Sequence, residues 1–391
     1  MATQTRASRR MRLGVIVGCL IATALATILA GLPTAYGATG PYRVYLPQIK
    51  KSLKPRLVFT DASGLLNGSG LSTYSSINLD GSGLTQIIGS EYPVPHDSSW
   101  SPNGRTLAML ESFTVAGISH PTLWVMDVGT FARKRLTDDT LSVSMIYDYS
   151  SSFAAWSPDS SKLVFAASPV NGGNIDLYTI NANGSELTQL TNDAVNEASP
   201  AWSPDGQRIA FSASTPISTS LMLINTDGTG QHSLISNNTN TPPTLFHPSW
   251  SPDGRWIAYL SQPIEAMQLV LIRPDGTGQQ QVGTKLASTQ FSWAPDGRWL
   301  AVYQCVPSLT CANAEVAAVS AEGEATRVLV PAGTWDTVTA LYPAWSPVGD
   351  VIALGLGNSV HTFFYSSLWV VGSDGTGLRE LTPGWMPVWL P

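Results

Sequence analysis

One short motif recurs along the chain about every 45 residues and constrains the fold more than any other feature. It reads Trp-Ser-Pro-Asp-Gly or a near copy, and its copies begin at Trp100, Trp156, Trp202, Trp250, Trp293 and Trp345. Successive tryptophans are 56, 46, 48, 43 and 52 residues apart. Such a period is typical of propellers, solenoids and other repeat arrays, so the 391 residues need not be divided into two or three unrelated domains.

The residues that follow each motif distinguish between these architectures. A short apolar run such as Ile209-Ala210-Phe211 comes first, and a second such as Leu221-Met222-Leu223-Ile224 follows it. A turn such as Asp227-Gly228-Thr229-Gly230 then precedes a last short run. Asp-Gly is a strong hairpin signal, because Gly accepts a positive φ and the Asp side chain can bond its own backbone. Four short strands per repeat, without long helical periodicity, indicate propeller blades.

The two ends of the repeat region complement each other. Residues 56–88 contain the later strands of a repeat without its tryptophan, and Trp389 lies 44 residues after Trp345 without later strands. Pairing these ends would complete one more blade and remove an exposed sheet edge. We therefore predict an all-β, monomeric, seven-bladed propeller of four-stranded antiparallel blades over residues 56–391. Six or eight blades are the alternatives.

The pattern Trp-Ser-Pro-Asp-Gly-x-x-Ile-Ala-Phe, with Asp-Gly-Thr-Gly turns, resembles the TolB-like propeller repeat, also called the WD40-like or PD40 repeat. The resemblance covers essentially all of residues 56–391. It implies a propeller but no single function, because the family includes a periplasmic partner of a cell-envelope system, the propeller halves of prolyl-oligopeptidase-type peptidases, and lone scaffolds. A peptidase of that type would need a Gly-x-Ser-x-Gly nucleophile turn, and the sequence contains none.

The first 37 residues are predicted to direct the chain out of the cytoplasm. Residues 1–12 carry four arginines and no acid, residues 13–32 are uncharged, and small residues near Gly37 suit cleavage after it. A run of roughly 20 apolar residues can also span a bilayer. Residues 1–37 are thus a cleaved signal peptide or a retained anchor, and both place the remainder outside the cytoplasmic membrane. Residues 38–55 are predicted to be an extracytoplasmic linker.

Charge limits the classes of partner. The formal net charge is −6, and removing residues 1–37 leaves 17 basic against 27 acidic residues. An acidic body repels phosphate backbones, so nucleic acid is not expected as a partner. Contact with a membrane is expected only through residues 13–32, if they are retained. We expect the partner to be a protein or a glycan of the cell envelope.

The repeated residues themselves are interpreted as structural. A motif present in every blade cannot mark one active site. Trp can fill the wedge between blades, Pro and Gly shape the turn, and Asp or Asn bonds back into it. The Asp-Gly-Thr-Gly turns each offer one carboxylate, whereas Ca²⁺ takes roughly 6–8 oxygen ligands, so these turns are predicted to be hairpins. The structural anchors are Trp100, Trp156, Trp202, Trp250, Trp293, Trp345 and Trp389.

Two cysteines lie in the predicted propeller. Cys305 and Cys311 flank five residues between the second and third strands of one blade. Outside the cytoplasm, a pair at this spacing can close a disulfide across a hairpin, and two free thiols are the alternative. We expect the disulfide.

The best candidates for a binding site precede the anchor tryptophans, where each chain segment enters the innermost strand at the mouth of the central channel. The polar residues at these places are His96, Asp97, Glu197, His247, Gln290 and Tyr342. In propeller enzymes that the repeat resembles, including some polysaccharide lyases, polar residues here bind a metal or a sugar. Solvated loop ends are the structural alternative.

No catalytic residue, metal site or cofactor is predicted from the sequence. The expected function is that of an exported, non-enzymatic scaffold that binds a protein or glycan at the cell envelope. One alternative is an enzyme that acts on a carbohydrate at the channel mouth. Another is an envelope assembly protein similar to the periplasmic family member.

Overall fold

Every regular element in the described part of the chain is a β-strand. The computed structural model describes residues 56–61, 73–89, 98–115, 118–144, 153–238, 247–261, 267–305, 314–334, 340–357 and 366–390. These residues belong to one compact unit, Lys51–Pro391. They include no helix that is long and apolar enough to cross a membrane, and residues 13–32 lie outside them.

Seven antiparallel sheets form the blades, numbered here from the chain's first strand, and the innermost strand is given first. Blade 1 contains β29 (Trp385–Leu390), β1 (Arg56–Asp61), β2 (Thr73–Ile77) and β3 (Thr85–Ile88). Blade 2 contains β4 (Ser98–Trp100), β5 (Thr106–Val115), β6 (Ile118–Asp127) and β7 (Arg133–Arg135). Blade 3 contains β8 (Leu141–Val143), β9 (Ala154–Trp156), β10 (Lys162–Pro169), β11 (Asp176–Asn181) and β12 (Thr188–Gln189).

The remaining four blades each take four consecutive strands. Blade 4 contains β13 (Asn196–Trp202), β14 (Arg208–Thr215), β15 (Ser218–Asn225) and β16 (His232–Asn238). Blade 5 contains β17 (Ser249–Trp250), β18 (Ile257–Ser261), β19 (Gln268–Ile272) and β20 (Gln280–Val282). Blade 6 contains β21 (Leu286–Trp293), β22 (Trp299–Cys305), β23 (Ala314–Ser320) and β24 (Thr326–Val330). Blade 7 contains β25 (Ala340–Trp345), β26 (Val351–Gly357), β27 (Ser366–Gly372) and β28 (Arg379–Pro383).

The predicted seven-bladed ring and its closure are confirmed. The C-terminal strand β29 pairs antiparallel with β1, with Leu57 opposite Trp389 and Arg56 opposite Leu390. Blade 1 is therefore built from both ends of the repeat region. The C-terminal strand β29 supplies the innermost strand of blade 1. The ring therefore closes through backbone hydrogen bonds between β29 and β1.

Blade 3 departs from the simple four-strand pattern. Its innermost strand consists of two pieces, β8 and β9, which both pair with β10. Val143 lies opposite Ala167, and Ala154 lies opposite Phe165, so extra residues are inserted between the two pieces. The insertion accounts for the longest interval between anchors, the 56 residues from Trp100 to Trp156.

The core lies between blades rather than inside any one of them. Strand side chains alternate in direction, so each blade packs on both neighbours. In β10, Leu163 and Phe165 join a cluster with blade 2, whereas Val164 and Ala166 join a cluster with blade 4. Seven such clusters of described residues connect successive blades, and one of them joins blade 7 to blade 1.

The recurring motif forms the turn from the innermost to the second strand. In blade 4 the hydroxyl of the buried Ser203 donates to Asp205 Oδ1 at 2.5 Å and accepts the backbone N–H of Arg208 at 2.9 Å. Asp205 Oδ1 also accepts the backbone N–H of Gln207 at 3.0 Å. These bonds provide hydrogen-bond partners for polar groups of the turn that lose contact with water on burial.

Four of the seven anchor tryptophans connect neighbouring innermost strands through the indole N–H. Trp202 donates its indole N–H to the carbonyl oxygen of Ala155, the residue just before the anchor of the preceding blade, at 3.1 Å. The same bond recurs from Trp156 to Ser99 at 3.0 Å, from Trp250 to Ala201 at 3.2 Å and from Trp389 to Ala344 at 2.9 Å. These four indoles thus bond across the wedge between two blades, whereas the indole of Trp345 donates to Gly349 of its own turn at 3.2 Å.

Candidate functional site

A cavity of about 420 Å³ lies among the innermost strands of blades 3 to 6, and we call it the channel cavity. Polar side chains supply hydrogen-bonding groups to it, namely Ser199, His247, Ser249, Thr289 and Gln290. Aromatic side chains form the rest of its wall, namely Trp156, Trp202, Trp250 and Phe291. None of the described residues around this cavity is a carboxylate, a lysine or an arginine. The cavity therefore offers hydrogen bonds and ring faces without fixed charge.

Ser199 and His247 meet at the wall of the channel cavity. Ser199 Oγ lies 3.3 Å from His247 Nδ1, which joins the innermost strands of blades 4 and 5 through their side chains. Both residues have left-handed backbone, with φ of 51° and 41°. A left-handed conformation costs a residue with a side chain about 1–2 kcal/mol, and such strain is concentrated at functional sites.

The strained residues share a position in the sequence, although Tyr342, which precedes Pro343 in the same way, is not in the left-handed region. Ser199 and His247 each precede a proline that lies two residues before the anchor, and Met386 in blade 1 does the same with φ of 48°. In blade 4 this conformation accompanies a bulge between Ala198 and Ala201. Since Met386 shares the backbone geometry, the polar side chains of Ser199 and His247, not their φ values, are what distinguish this cavity.

Gln290 reaches the channel cavity from a longer irregularity in β21. Leu286 pairs with Gln304 and Phe291 pairs with Val302, so residues 287–290 bulge out of the sheet. Gln290 donates its backbone N–H to Ser288 Oγ at 3.2 Å. The bulge places Thr289 and Gln290 on the cavity wall together.

Glu197, which the sequence placed with the channel residues, occupies a different environment. Its side chain is completely buried between blades 3 and 4 and is not among the described residues that line the channel cavity. Glu197 Oε2 accepts the backbone N–H of Leu177 at 3.0 Å and the hydroxyl of Thr191. Glu197 Oε1 has no hydrogen-bond partner.

Burial raises the pKa of Glu197 to about 8. The hydrogen bond from Thr191 acts against this rise, and the nearby carboxylate of Asp193 adds to it. Burial also raises the pKa of Asp176, which accepts a bond from Gln189 Nε2 at 2.9 Å. Glu197 is therefore a neutral connection between two blades at neutral pH.

The other predicted site residues are dispersed. Tyr342 is half-buried in β25, opposite Gly355, and is not among the described residues around the channel cavity. His96 and Asp97 lie outside the described residues, as does Cys311. Cys305 is buried at the end of β22 and is disulfide-bonded. Within the described ranges, no group of three or more His, Cys, Asp and Glu side chains could hold a metal ion.

Ser199 and Thr289 were not recognised from the sequence. Ser199 lies three residues before its anchor tryptophan, as His247 and Gln290 do, so this shared spacing could have identified it. Thr289 carries no such signal, because the bulge that exposes it is visible only in the pairing of β21 with β22.

The fold and the repeat are shared with known proteins. Residues 46–349 match the family model described as the TolB beta propeller domain, PD40. The chain belongs to this family. No curated protein is significantly similar to this TolB-type propeller in sequence.

Solved structures similar to this TolB-type propeller include proteins of several kinds. TolB from Acinetobacter baumannii is 17% identical with a TM-score of 0.47, and the match covers 86% of this chain and 67% of that protein. Oligogalacturonate lyase from Vibrio parahaemolyticus is 14% identical with a TM-score of 0.56, over 81% and 86% of the two chains. A puromycin hydrolase mutant is 14% identical with a TM-score of 0.56, over 89% and 57%. At such low identity the likeness to the lyase and to the hydrolase shows a common propeller fold alone.

Proposed function

We propose that this TolB-type propeller is a non-enzymatic binding module outside the cytoplasm, and that it holds a neutral glycan of the cell envelope in the channel cavity. The observation that carries this proposal is the wall of that cavity. Hydroxyl, amide and imidazole groups alternate there with aromatic rings, and the described residues around it bear no fixed charge. Arginine-rich residues 1–12 and the uncharged residues 13–32 support export.

The cavity suits a sugar by its chemistry and its size. A sugar ring presents hydroxyls at its rim and C–H groups on its faces, so it needs hydrogen-bonding side chains beside apolar rings. About 420 Å³ falls within the range of pockets that enclose small ligands, roughly 300–1,000 Å³. The contact between Ser199 and His247 fixes the imidazole in place before a ligand arrives, which lowers the entropy cost of binding.

The test combines a glycan array with calorimetry on the chain and its variants. Wild-type protein is expected to retain a neutral envelope glycan, and replacing His247 and Gln290 together by Ala is expected to weaken that binding at least tenfold. The sequence predicts further that changing His96 and His247 together to Ala abolishes binding of the ligand. His232→Ala is the matched control, because His232 is exposed in the outer strand β16 and should leave binding unchanged.

Two outcomes would change the proposal. If no glycan binds but an envelope protein is captured in a His247- and Gln290-dependent manner, the module binds protein rather than glycan. If binding of the glycan is unaffected by the double variant, the channel cavity is not the site.

An enzyme at the same cavity is the second candidate, favoured by the Ser199–His247 contact and by the fold shared with an oligogalacturonate lyase. Metal analysis of the purified chain distinguishes the two. A stoichiometric transition metal that is lost from the His96→Ala, His247→Ala variant would favour the enzyme.

A further inference from the structure

A second cavity, of about 580 Å³, lies between blades 3 and 4 beside their anchor turns, and we call it the anchor groove. It lies where the chain leaves the innermost strands, and it shares Pro158 and Trp202 with the channel cavity, which extends from there toward the end where the chain enters them. Asp159 and Lys162 of blade 3 line it, together with Trp202 and Asp205 of blade 4. Its wall thus combines an indole with charged groups, unlike the channel cavity.

The equivalent position between blades 4 and 5 is filled by the protein itself. There the guanidinium carbon of Arg208 lies 5.1 Å from the centroid of the Trp250 ring. Arg208 and Lys162 occupy the same place in their blades, six residues after the anchor tryptophan. Each donates its backbone N–H to the serine of its anchor motif at 2.9 Å. The molecule therefore contains one copy of this groove with a guanidinium bound.

Lys162 does not fill the anchor groove as Arg208 fills its neighbour. Its Nζ lies 3.4 Å from Glu186 Oε2, within blade 3. Trp202 is half-buried, and no described cation lies over its ring, although its indole bond to Ala155 matches that of Trp250 to Ala201. A guanidinium thus covers the indole of Trp250, whereas no described cation covers the equivalent indole of Trp202.

The anchor groove carries negative charge to complement a cation. The hydroxyl of Ser157 donates to Asp159, and that of Ser203 donates to Asp205, and these bonds hold the pKa of each carboxyl below its usual value. Both aspartates are therefore ionised at neutral pH. Lys162 is balanced by Glu186, so the two aspartates are not neutralised by it.

We propose that the anchor groove binds the guanidinium group of an arginine side chain from a partner polypeptide. The arginine takes the place over Trp202 that Arg208 takes over Trp250. A guanidinium stacks on the face of an indole and donates hydrogen bonds to carboxylates in its plane, which a lysine ammonium cannot do in the same geometry. Pro158 and Trp202 line both cavities, whereas Asp159 and Asp205 line the anchor groove and not the channel cavity. Substitution of Asp159 therefore distinguishes this proposal from glycan binding in the channel cavity.

The test measures binding of blocked tripeptides to the full chain by calorimetry. Acetyl-Gly-Arg-Gly-amide is expected to bind at one site and at least tenfold more tightly than acetyl-Gly-Lys-Gly-amide. Lys162→Arg is expected to abolish this binding, because the chain's own guanidinium would then cover Trp202. Equal affinity for the two peptides, or unchanged binding by Lys162→Arg, would overturn the proposal. Free arginine that binds more tightly than the peptide would overturn the assignment to a polypeptide.

Asp159→Asn removes one charge and leaves the anchor turn intact. Asn103 already holds the equivalent turn of blade 2, accepting the Ser101 hydroxyl at 2.9 Å and the Arg105 N–H at 3.0 Å. We expect Asp159→Asn to weaken binding of the arginine peptide about fivefold. Asp374→Asn makes the same change of charge in an exposed turn of blade 7 and should have no effect. An equal loss in both variants would mean that the peptide responds only to net charge.

Discussion

At the scale of single residues, the fifth position of the anchor motif shows how backbone conformation affects the stability of the blades. Glycine occupies the fifth position of the motif in five blades, with φ of 67° at Gly104, 70° at Gly206 and 81° at Gly349, for example. Blade 3 has Ser160 there instead, with φ of 63°. Left-handed backbone favours glycine, so blade 3 carries strain that its neighbours avoid.

We expect Ser160→Gly to raise the free energy of unfolding by about 0.5–1 kcal/mol, because it removes the cost of left-handed backbone. The one bond lost, from the N–H of Asn103 to Ser160 Oγ at 3.1 Å, is exposed and contributes little. The reverse change, Gly206→Ser, should lower the free energy of unfolding by about 1 kcal/mol. Denaturant unfolding of both variants checks this. A lower midpoint for Ser160→Gly, or an unchanged or higher midpoint for Gly206→Ser, would contradict it.

Glu197 shows why residue orientation could not be read from spacing. Counting back from Trp202 predicted that Glu197 enters the channel, as His247 does. The bulge between Ala198 and Ala201 adds one residue to β13, and one extra residue reverses the face that every preceding side chain takes. His247 and Gln290 lie three residues before their anchors and line the channel cavity, as the sequence predicted, although Gln290 lies within the bulge of residues 287–290.

At the scale of strands, the closure of the ring depends on β29. Its anchor Trp389 is half-buried, pairs opposite Leu57, and bonds to the Ala344 carbonyl of blade 7. The strand pattern of each repeat was sufficient to predict this pairing. The two-piece innermost strand of blade 3 could not be predicted in this way. The long interval before Trp156 shows that residues are inserted, but it does not show at which point of the sheet they are inserted.

Trp389→Phe should lower the free energy of unfolding by about 1 kcal/mol, because it removes the bond to Ala344 and keeps most of the ring packing. Trp389→Ala should cost about 3–5 kcal/mol through the cavity it leaves. Hydrogen exchange locates the effect, since the amides of β1 and β29 should exchange faster in Trp389→Ala while those of blade 4 remain protected. Exchange that accelerates equally in all blades would show that closure is not a local event.

At the scale of the whole molecule, stability is divided among seven interfaces. Each cluster joins one blade to the next, so the ring resembles a repeat protein in which neighbours contribute separately. The interface between blades 3 and 4 differs from a purely apolar one, because the completely buried Glu197 bonds to Leu177 and Thr191 across it. The stability that this interface contributes should therefore depend on pH.

The pKa of Glu197 is about 8 in the folded chain, against an ordinary value of 4.5. Between pH 4.5 and pH 8, the folded chain therefore keeps a proton on Glu197 that the unfolded chain has released. The stability that this proton supports is present in full below pH 4.5 and is lost as the pH rises toward 8, at a slope of about 1.4 kcal/mol per pH unit. Glu197→Gln keeps an acceptor for Leu177 and Thr191 and does not titrate.

We accordingly expect Glu197→Gln to match wild-type stability near pH 4.5 and to exceed it by a few kcal/mol above pH 8, measured by denaturant unfolding across the range. Glu324→Gln is the control, because Glu324 is exposed in blade 6 and the substitution should leave the profile unchanged. If the Glu197→Gln and wild-type curves ran parallel from pH 4.5 to 8, the carboxyl would be ionised inside the folded protein. The blade 3–blade 4 interface would then contain a buried charge rather than a protonated acid, and the stabilising groups would have to be sought around the unpartnered Oε1 of Glu197.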